Sequence, residues 1–194
     1  MTELLAHAEN IWQALVPRLP SFTVEVLPEI DSTNTELMRR ARDGLLEPVL
    51  LVAERQTAGR GRLGRGWHSR PGQSLTFSLG LPMAPASWSG LSLVVGLSLA
   101  EQLDPQIRLK WPNDLWLDGK KLAGILVEGQ IRGVELASLV VGVGINVAST
   151  SFPPELAELA TSLRAGGAHV DRNELSAEVV LALLGAEAGF VVHG

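Results

Sequence analysis

The spacing of apolar residues changes along the chain, and its N-terminal part shows three different patterns. Apolar residues at helical spacing over residues 3–15 predict an amphipathic helix. Apolar and polar residues alternate over residues 22–27, which is typical of a strand. Thr33 and Glu36 have the spacing of a capping box, so a second helix is expected to begin at Thr33 and to end at Gly44.

Short apolar or alternating runs dominate the middle of the chain and predict its strands. These strands are expected at residues 48–54, 74–81, 107–111, 125–127 and 139–143. An Asp118-Gly119 turn between apolar flanks predicts a tight hairpin.

Helical patterns flank this group of strands, and they are expected at residues 88–103, 154–164 and 173–184. Strands that cluster centrally and are joined by hairpins favour an α+β fold over a doubly wound sheet. We therefore expect a mixed central β-sheet flanked by helices. No repeat and no low-complexity linker interrupts the pattern, so residues 1–194 are predicted to form one domain.

Composition narrows the classes of function. The chain has no cysteine, which excludes disulfides, thiolate metal sites and a cysteine nucleophile. It is acidic, with a net charge of -5, and has no long basic stripe, so we expect no nucleic-acid partner. It shows neither a secretory signal nor an apolar run long enough for a membrane span. We expect a cytoplasmic protein with no membrane partner. Its oligomeric state stays open, a homodimer being allowed.

A loop rich in glycine and arginine follows the strand at 48–54. Four arginines lie within residues 60–70, which contain no acidic side chain. Glycine lets the backbone approach a ligand and arginine offers rigid charged donors to phosphate or carboxylate, so we interpret the loop as a compact anion site. Its G-x-G-x-x-G spacing does not indicate a dinucleotide fold, because a strand rather than a helix follows it. A surface loop with solvated arginines is the alternative.

The three lysines of the chain, Lys110, Lys120 and Lys121, are close together in the sequence. Lys110 begins a Lys-Trp-Pro-Asn-Asp segment that could present a cation, an amide and a carboxylate to a purine nucleotide. Simple turn formation is the alternative for Asn113-Asp114. Lys120 and Lys121 should face opposite sides of a strand. Lys121 is the candidate because it is nearer the surface of Gly124, where close approach of a ligand or another backbone is expected.

Two further segments offer polar groups to a ligand. Glycines in 142–146 could let a base or sugar lie against the backbone, with Asn146 supplying an amide, although a bulge at the strand end is the alternative. Residues 32–34 stand where a helix N-terminus leaves N–H groups free, but capping alone explains Thr33. The four histidines lack metal-ligand spacing, and none is assigned a catalytic role.

Five motifs, in their order along the chain, resemble those of the biotin protein ligase family, also called biotin–[acetyl-CoA-carboxylase] ligases. The resemblance extends from about residue 21 to about residue 150. The motifs occupy residues 31–34, 56–62, 110–114, 121–128 and 142–146. The resemblance implies a catalytic domain with a fold of the class II aminoacyl-tRNA synthetase/biotin protein ligase type, which agrees with the α+β prediction.

The resemblance also implies a reaction. Biotin and ATP form biotinyl-5′-AMP and pyrophosphate, and a lysine of a biotin carboxyl carrier protein then accepts the biotin. Mg²⁺ is implied because it offsets the charge of the triphosphate, and no side chain is assigned to it.

The family's functional positions carry over to specific residues of this sequence. The catalytic role is implied for Lys121, Arg60 and Arg62. Biotin contacts are implied for Ser32, Thr33, Asn34, Gln56, Arg60, Gly61, Arg62, Lys121 and Gly124. Nucleotide contacts are implied for Arg62, Trp67, Lys110, Asn113 and Asn146.

The sequence departs from some relatives at both ends of the motif region. Few residues precede it, so we expect no N-terminal winged-helix DNA-binding domain and no repressor role. The residues after 180 do not resemble the usual small C-terminal β-barrel, so we expect that barrel to be absent and acceptor docking or full activity to be impaired. A lipoate or octanoyl ligase or transferase is one alternative, and its arginine-loop motif differs from residues 58–62. A non-catalytic nucleotide-binding module is the other.

Overall fold

The computed structural model describes residues 2–17, 21–83, 90–132 and 135–168, together with Leu175 and Val179. Within these ranges, three α-helices accompany seven strands. In chain order they are α1 (Thr2–Leu15), β1 (Thr23–Leu27), α2 (Thr33–Asp43), β2 (Val49–Ala53), β3 (Ser74–Leu81), α3 (Leu91–Leu103), β4 (Arg108–Lys110), β5 (Asp114–Leu117), β6 (Lys120–Arg132) and β7 (Glu135–Asn146).

The strands form one mixed sheet in the order β1-β2-β3-β7-β6-β5-β4. β1 and β2 are parallel because α2 connects them as a crossover, whereas every other neighbouring pair is antiparallel. Asp118 and Gly119 close the β5–β6 hairpin with φ values of 51° and 75°, the left-handed conformations that a two-residue hairpin turn requires. The predicted α+β architecture with a mixed central sheet is confirmed.

Alternation along the strands gives the sheet two chemically different faces. On β3, Leu75, Phe77 and Leu79 belong to the main apolar core, together with buried residues of α1 and α3. Each such fully buried large side chain contributes about 1.5–3 kcal/mol of transfer free energy. The opposite face of β3 carries Thr76 and Ser78, and α2 lies over that side of the sheet. The core therefore holds the sheet from one side and leaves a small, polar surface on the other.

A guanidinium anchors α2 beside this polar surface. Arg40 donates to both carboxylate oxygens of Glu25 on β1, at 2.7 and 2.9 Å, and to Glu36 on its own helix. The hydrogen bonds to Glu25, opposed by partial desolvation, raise the pKa of Arg40 above its usual value. The charge of this residue is thus permanent, and it ties the helix to the edge of the sheet.

Two sequence-based expectations are wrong in detail. The helix at 154–164 is absent, since residues 154–159 form turns and the following residues pair with the sheet. Long-range backbone pairing overrides local helical preference there. The N-cap of α2 is Ser32, whose Oγ accepts from Thr35 N at 3.3 Å, so Thr33 is the first helical residue rather than a capping residue.

Other boundaries follow the predictions closely, although β6 and β7 are longer than expected. The predicted helix 173–184 lies outside the described residues except for Leu175 and Val179, which are helical and buried. No helix in the described ranges combines the length and the apolar character needed to cross a bilayer.

Candidate active site

The floor of the candidate site is the polar face of the three central strands, β3, β7 and β6. In the sheet register Thr76, Gly144 and Gly124 form one row across these strands. Ser78 and Gly142 stand side by side in the next row. Small residues alternate with core residues on β3 and β7, so this face has room above it for other groups.

Residues from elsewhere in the chain fill that room. A Cβ on Gly142 would lie 2.8 Å from Asn34 Cγ, so the Asn34 amide rests against the backbone of β7. A Cβ on Gly144 would overlap the indole of Trp67, which covers the floor at that point. Both glycines of β7 therefore permit close approach of a planar side chain of the protein itself, whereas the sequence-based expectation was a base or sugar.

Unpaired polar atoms lie beside Gly144. Trp67 Nε1 and Thr76 Oγ1 are buried and have no hydrogen-bond partner within the part of the chain that the structure describes. Buried polar groups are normally hydrogen-bonded, and leaving one unpaired costs about 1–3 kcal/mol. This part of the floor therefore holds two buried polar atoms without a partner in the described residues, and one of them, Trp67 Nε1, faces the backbone of Gly144.

The start of α2 and the loop after β2 form one wall of the site. Gln56 Oε1 accepts from Thr33 N at 2.7 Å, and Ser78 Oγ lies 2.7 Å from Thr33 Oγ1 and 2.5 Å from Asn34 Oδ1. Gln56 is only 9% exposed, and its Nε2 bonds to no other described residue. The wall thus has a buried amide with two N–H groups available.

The arginine loop is a small, closed hairpin. Trp67 N donates to Gly59 O at 2.9 Å, and Gly61 N donates to Arg65 O at 2.7 Å. A Cβ at Gly59 would lie 2.5 Å from the carbonyl oxygen of Trp67, so only glycine fits there. Gly64 has a φ of 73° at the tip, the left-handed region that glycine adopts without strain.

The two arginines to which the resemblance implies a catalytic role have different environments. Arg60 donates from Nη2 to Glu128 at 2.8 Å and from Nε to Thr35 Oγ1 at 2.9 Å. Arg62 is exposed and pairs with no acidic group among the described residues. Arg60 is therefore already neutralised by a protein carboxylate, and Arg62 is the guanidinium that remains available to an anion.

Lys121 reaches the floor of the site at its other end. Its Nζ lies 2.9 Å from Asp114 Oδ1 and 3.4 Å from the position that a Cβ on Gly124 would take. Lys120 instead pairs with Glu158 at 3.7 Å. The expectation that Lys121 is the lysine on the Gly124 surface agrees with this geometry.

Residues 159–164 brace the two strands that end at this part of the site. Lys121 N donates to Leu159 O at 2.8 Å, and Thr161 N donates to Lys121 O at 2.9 Å. Leu163 N donates to Asn146 O at 3.0 Å. The segment that was expected to be a helix thus fixes the backbone at Lys121 and Asn146.

The remaining candidates for nucleotide contact lie at the β4–β5 turn and at the end of β7. Lys110 Nζ lies 3.4 Å from the centroid of the Trp116 ring, a cation–π contact. Asn113 Nδ2 donates to Ile125 O at 2.7 Å, so this amide stabilises the turn, as the alternative interpretation expected. Asn146 is buried and its side-chain amide bonds to no other described residue.

The sequence of the central part of the chain decides the family. Residues 26–146 match the sequence model of the biotin/lipoate A/B protein ligase family. The chain belongs to this family. This match and the curated relatives described next confirm the resemblance to biotin protein ligases that the five motifs indicated.

Curated relatives in this family cover most of the chain. The chain is 42% identical over 184 residues to the bifunctional ligase/repressor BirA of Salmonella typhimurium. This alignment covers 91% of this chain and 57% of that protein. The chain is 39% identical over 169 residues to the biotin–[acetyl-CoA-carboxylase] ligase of Mycobacterium tuberculosis, covering 81% of this chain and 61% of that protein. The chain thus spans less than two thirds of the length of these relatives.

A solved structure of the family has the same fold. The biotin protein ligase of Aquifex aeolicus in complex with biotin and ATP superposes with a TM-score of 0.73 at 34% identity, covering 88% of this chain and 72% of that one. The mixed sheet therefore has the class II aminoacyl-tRNA synthetase/biotin protein ligase type of fold expected from the motifs.

Sequence reasoning missed Ser78 and the ion pairs that Asp114 and Glu128 form at this ligase-family site. Ser78 joins Thr33 to Asn34, Asp114 pairs with Lys121, and Glu128 pairs with Arg60. The alternation of small polar residues with core residues on β3 is a signal that could have identified Ser78. No comparable signal exists for the two carboxylates, because their partners are distant in the chain or across a hairpin.

The described residues contain no group of three or more histidine, cysteine, aspartate or glutamate side chains arranged to hold a metal ion. Asp114 is the carboxylate nearest to Lys121, and it is already used in an ion pair. A divalent ion in this part of the molecule would accordingly take most of its ligands from phosphate oxygens and water, which is usual for Mg²⁺.

Proposed function

We propose that this protein activates biotin with ATP and transfers it to a protein lysine. The observation that carries the proposal is the arrangement on one face of the sheet. A buried polar wall at Thr33 and Gln56, a floor of glycines and an ammonium at Lys121 lie on that face, with an arginine loop beside them. The similarity to the Aquifex aeolicus ligase, solved with biotin and ATP, supports these two substrates.

The proposed reaction has two balanced steps. A carboxylate oxygen of biotin attacks the α-phosphorus of Mg²⁺–ATP, an acyl–phosphate bond forms, and pyrophosphate leaves with the electrons of the broken P–O bond. The amine of an acceptor lysine then attacks the acyl carbon, an amide forms, and AMP leaves while the amine loses a proton. Both steps bring anions together or expel them, so positioned cations are the main catalytic requirement.

We assign the ureido end of biotin to the wall formed by Ser32, Thr33 and Gln56. Within the described residues, Gln56 Nε2 and the Ser32 hydroxyl donate to no acceptor, so they can donate to a carbonyl group. Asn34 is already saturated by Ser78, Leu126 O and Glu128, so its role is to shape the wall. Gly61 in the loop and Gly124 on the floor would contact biotin through their backbones, and Lys121 Nζ lies 3.4 Å from the Cβ position of Gly124.

We assign the reacting groups to Lys121 and Arg62. The Lys121 ammonium, now paired with Asp114, would turn from that carboxylate to lie between the biotin carboxylate and the α-phosphate, and Arg62 would bind the phosphate from the loop. A charge-assisted hydrogen bond of this type contributes about 1.5–3 kcal/mol. Arg60, which is bonded to Glu128, would act by holding the loop in place.

We assign the nucleoside to the floor near Gly144. Trp67 offers an indole face there, and its buried Nε1 would meet the nucleotide only if the ring moved away from Gly144. The Asn146 side-chain amide bonds to no other described residue and could contact the nucleotide directly. Lys110 and Asn113 lie at the β4–β5 turn and would contact the nucleotide only after leaving their present partners. The Mg²⁺ that accompanies ATP would be held by the phosphates.

The acceptor in this proposal is a biotin carboxyl carrier protein, in line with the biotin–[acetyl-CoA-carboxylase] ligase of Mycobacterium tuberculosis. The acceptor lysine would approach the adenylate from the solvent side of the floor. The carrier protein takes part only in the second step, whereas the residue contacts with biotin and ATP belong to the first step.

The experiment is ATP–pyrophosphate exchange, measured with biotin and separately with lipoate as the acyl substrate. Biotin-dependent exchange that lipoate does not support is the expected result. If only lipoate supports exchange, the acyl substrate is a lipoate or octanoyl group and not biotin. Binding of ATP without exchange under either condition would indicate a non-catalytic nucleotide-binding module.

Transfer is then tested with a purified biotin carboxyl carrier domain. A mass increase of the domain that requires biotin, ATP and its acceptor lysine is the expected result. Exchange without transfer would retain the first half of the proposal and refute the second.

A further inference from the structure

Glu128 joins three separate parts of the site. Its Oε2 accepts from Arg60 Nη2 at 2.8 Å and from Asn34 Nδ2 at 2.9 Å. Arg60 belongs to the arginine loop, Asn34 to the first turn of α2, and Glu128 to β6. Arg60 Nε also donates to Thr35 Oγ1 at 2.9 Å. The arginine loop is thus attached to the helix and to the sheet through one carboxylate.

We propose that Glu128 is a positioning residue that holds the arginine loop over the site and keeps Asn34 flat against Gly142. It acts through these two partners and contacts neither substrate. This role deepens the proposed function and rests on it, because the loop is assigned there to the biotin and phosphate groups.

The hydrogen bonds of Asn34 explain why an acceptor is needed at position 128. One Nδ2 proton is donated to Leu126 O at 3.2 Å and the other to Glu128, while Oδ1 faces Ser78 Oγ. Without an acceptor at position 128, a side chain that is 4% exposed would keep a proton without a partner. The amide would then reorient away from the surface of Gly142.

The charge of Arg60 gives a second reason. The loop has four arginines within residues 60–70 and no acidic residue of its own, so its charges repel one another. Glu128 supplies a negative charge to the loop from outside it, at the arginine nearest to α2. Removing this charge while keeping the shape of the side chain should loosen the loop, while the core on the other face of the sheet stays intact.

The test compares Glu128→Gln with Glu29→Gln. Glu29 forms a similar ion pair with Arg55 at 2.8 Å, on the exposed surface and outside the site, so it is a matched control. Hydrogen exchange over residues 58–70 is measured in the ligand-free protein, with β2 as an internal reference. We expect Glu128→Gln to speed exchange in the loop about two- to fivefold, the size expected for losing a partly exposed ion pair, and Glu29→Gln to leave it unchanged.

A second measurement follows the consequence for function. The rate at which biotinyl-5′-AMP dissociates should rise about two- to fivefold in Glu128→Gln, because the loop that covers it is less firmly held. Arg60→Gln should have the same effect from the other side of the contact. The double variant should be no worse than either single variant, since both remove the same attachment.

Unchanged loop exchange in Glu128→Gln and Arg60→Gln would overturn the proposal. Faster exchange spread evenly over the loop and β2 would also overturn it, because it would show general destabilisation. Failure of the proposed function has a different signature. The protein would then show no biotin-dependent pyrophosphate exchange, whereas hydrogen exchange in the ligand-free protein would still report whether Glu128 holds the loop.

Discussion

Replacing Lys121 by methionine removes the ammonium on the floor of the site and keeps most of the side-chain volume. If this ammonium binds the biotin carboxylate and the α-phosphate in the transition state, its loss costs about 1.5–3 kcal/mol. That energy corresponds to a decrease of roughly 10- to 150-fold in the rate of adenylate formation. The pair with Asp114 is partly exposed, with side-chain exposures of 36% and 21%, so its own effect on folding stability should stay below about 1 kcal/mol.

Lys120→Met is the matched control for this prediction. Lys120 pairs at 3.7 Å with Glu158, whose side chain is 92% exposed, so this loss should change neither activity nor stability measurably. The assay is pyrophosphate release at saturating biotin and ATP, with thermal unfolding measured on the same preparations. If Lys120→Met is the more damaging variant, the facing assignment is wrong. If both variants keep full activity, the role assigned to Lys121 is refuted.

Three other predictions test different parts of the site. Arg62→Ala should weaken binding of a non-hydrolysable adenylate analogue by about 1.5–3 kcal/mol in calorimetry and biotin binding by less, and equal losses would contradict a phosphate role. Gly142→Ala should lower the free energy of unfolding by about 1–3 kcal/mol in urea titrations, because the new methyl group meets the Asn34 amide. Gly80→Ala is the control and should lower it by less, since the side-chain carbon nearest to its new methyl group is 3.2 Å away. Thr161→Pro removes the N–H that donates to Lys121 O and should slow adenylate formation, whereas Thr161→Ala keeps that N–H and should not slow it. Similar rates of adenylate formation in both variants would refute the bracing role of residues 159–164.

Some features of the site could be predicted from the sequence because they depend on neighbours in the chain. Alternation on β3 separates Leu75, Phe77 and Leu79 from Thr76 and Ser78, and this fixes which face is core. The Asp118-Gly119 turn follows from residues that tolerate positive φ. The strand after the arginine loop excluded a dinucleotide site for the same local reason.

Other features depended on contacts between distant parts of the chain, and only the tertiary structure decided them. Glu128 binds groups 68 and 94 positions away, so no local pattern shows that it neutralises Arg60 and orients Asn34. Residues 154–164 have a helical pattern, yet their backbone groups pair with the ends of β6 and β7 instead. The physical reason is the same in both cases. A backbone or side-chain group bonds to whichever partner the folded sheet places beside it, and that partner is set by register and packing, which local sequence does not encode.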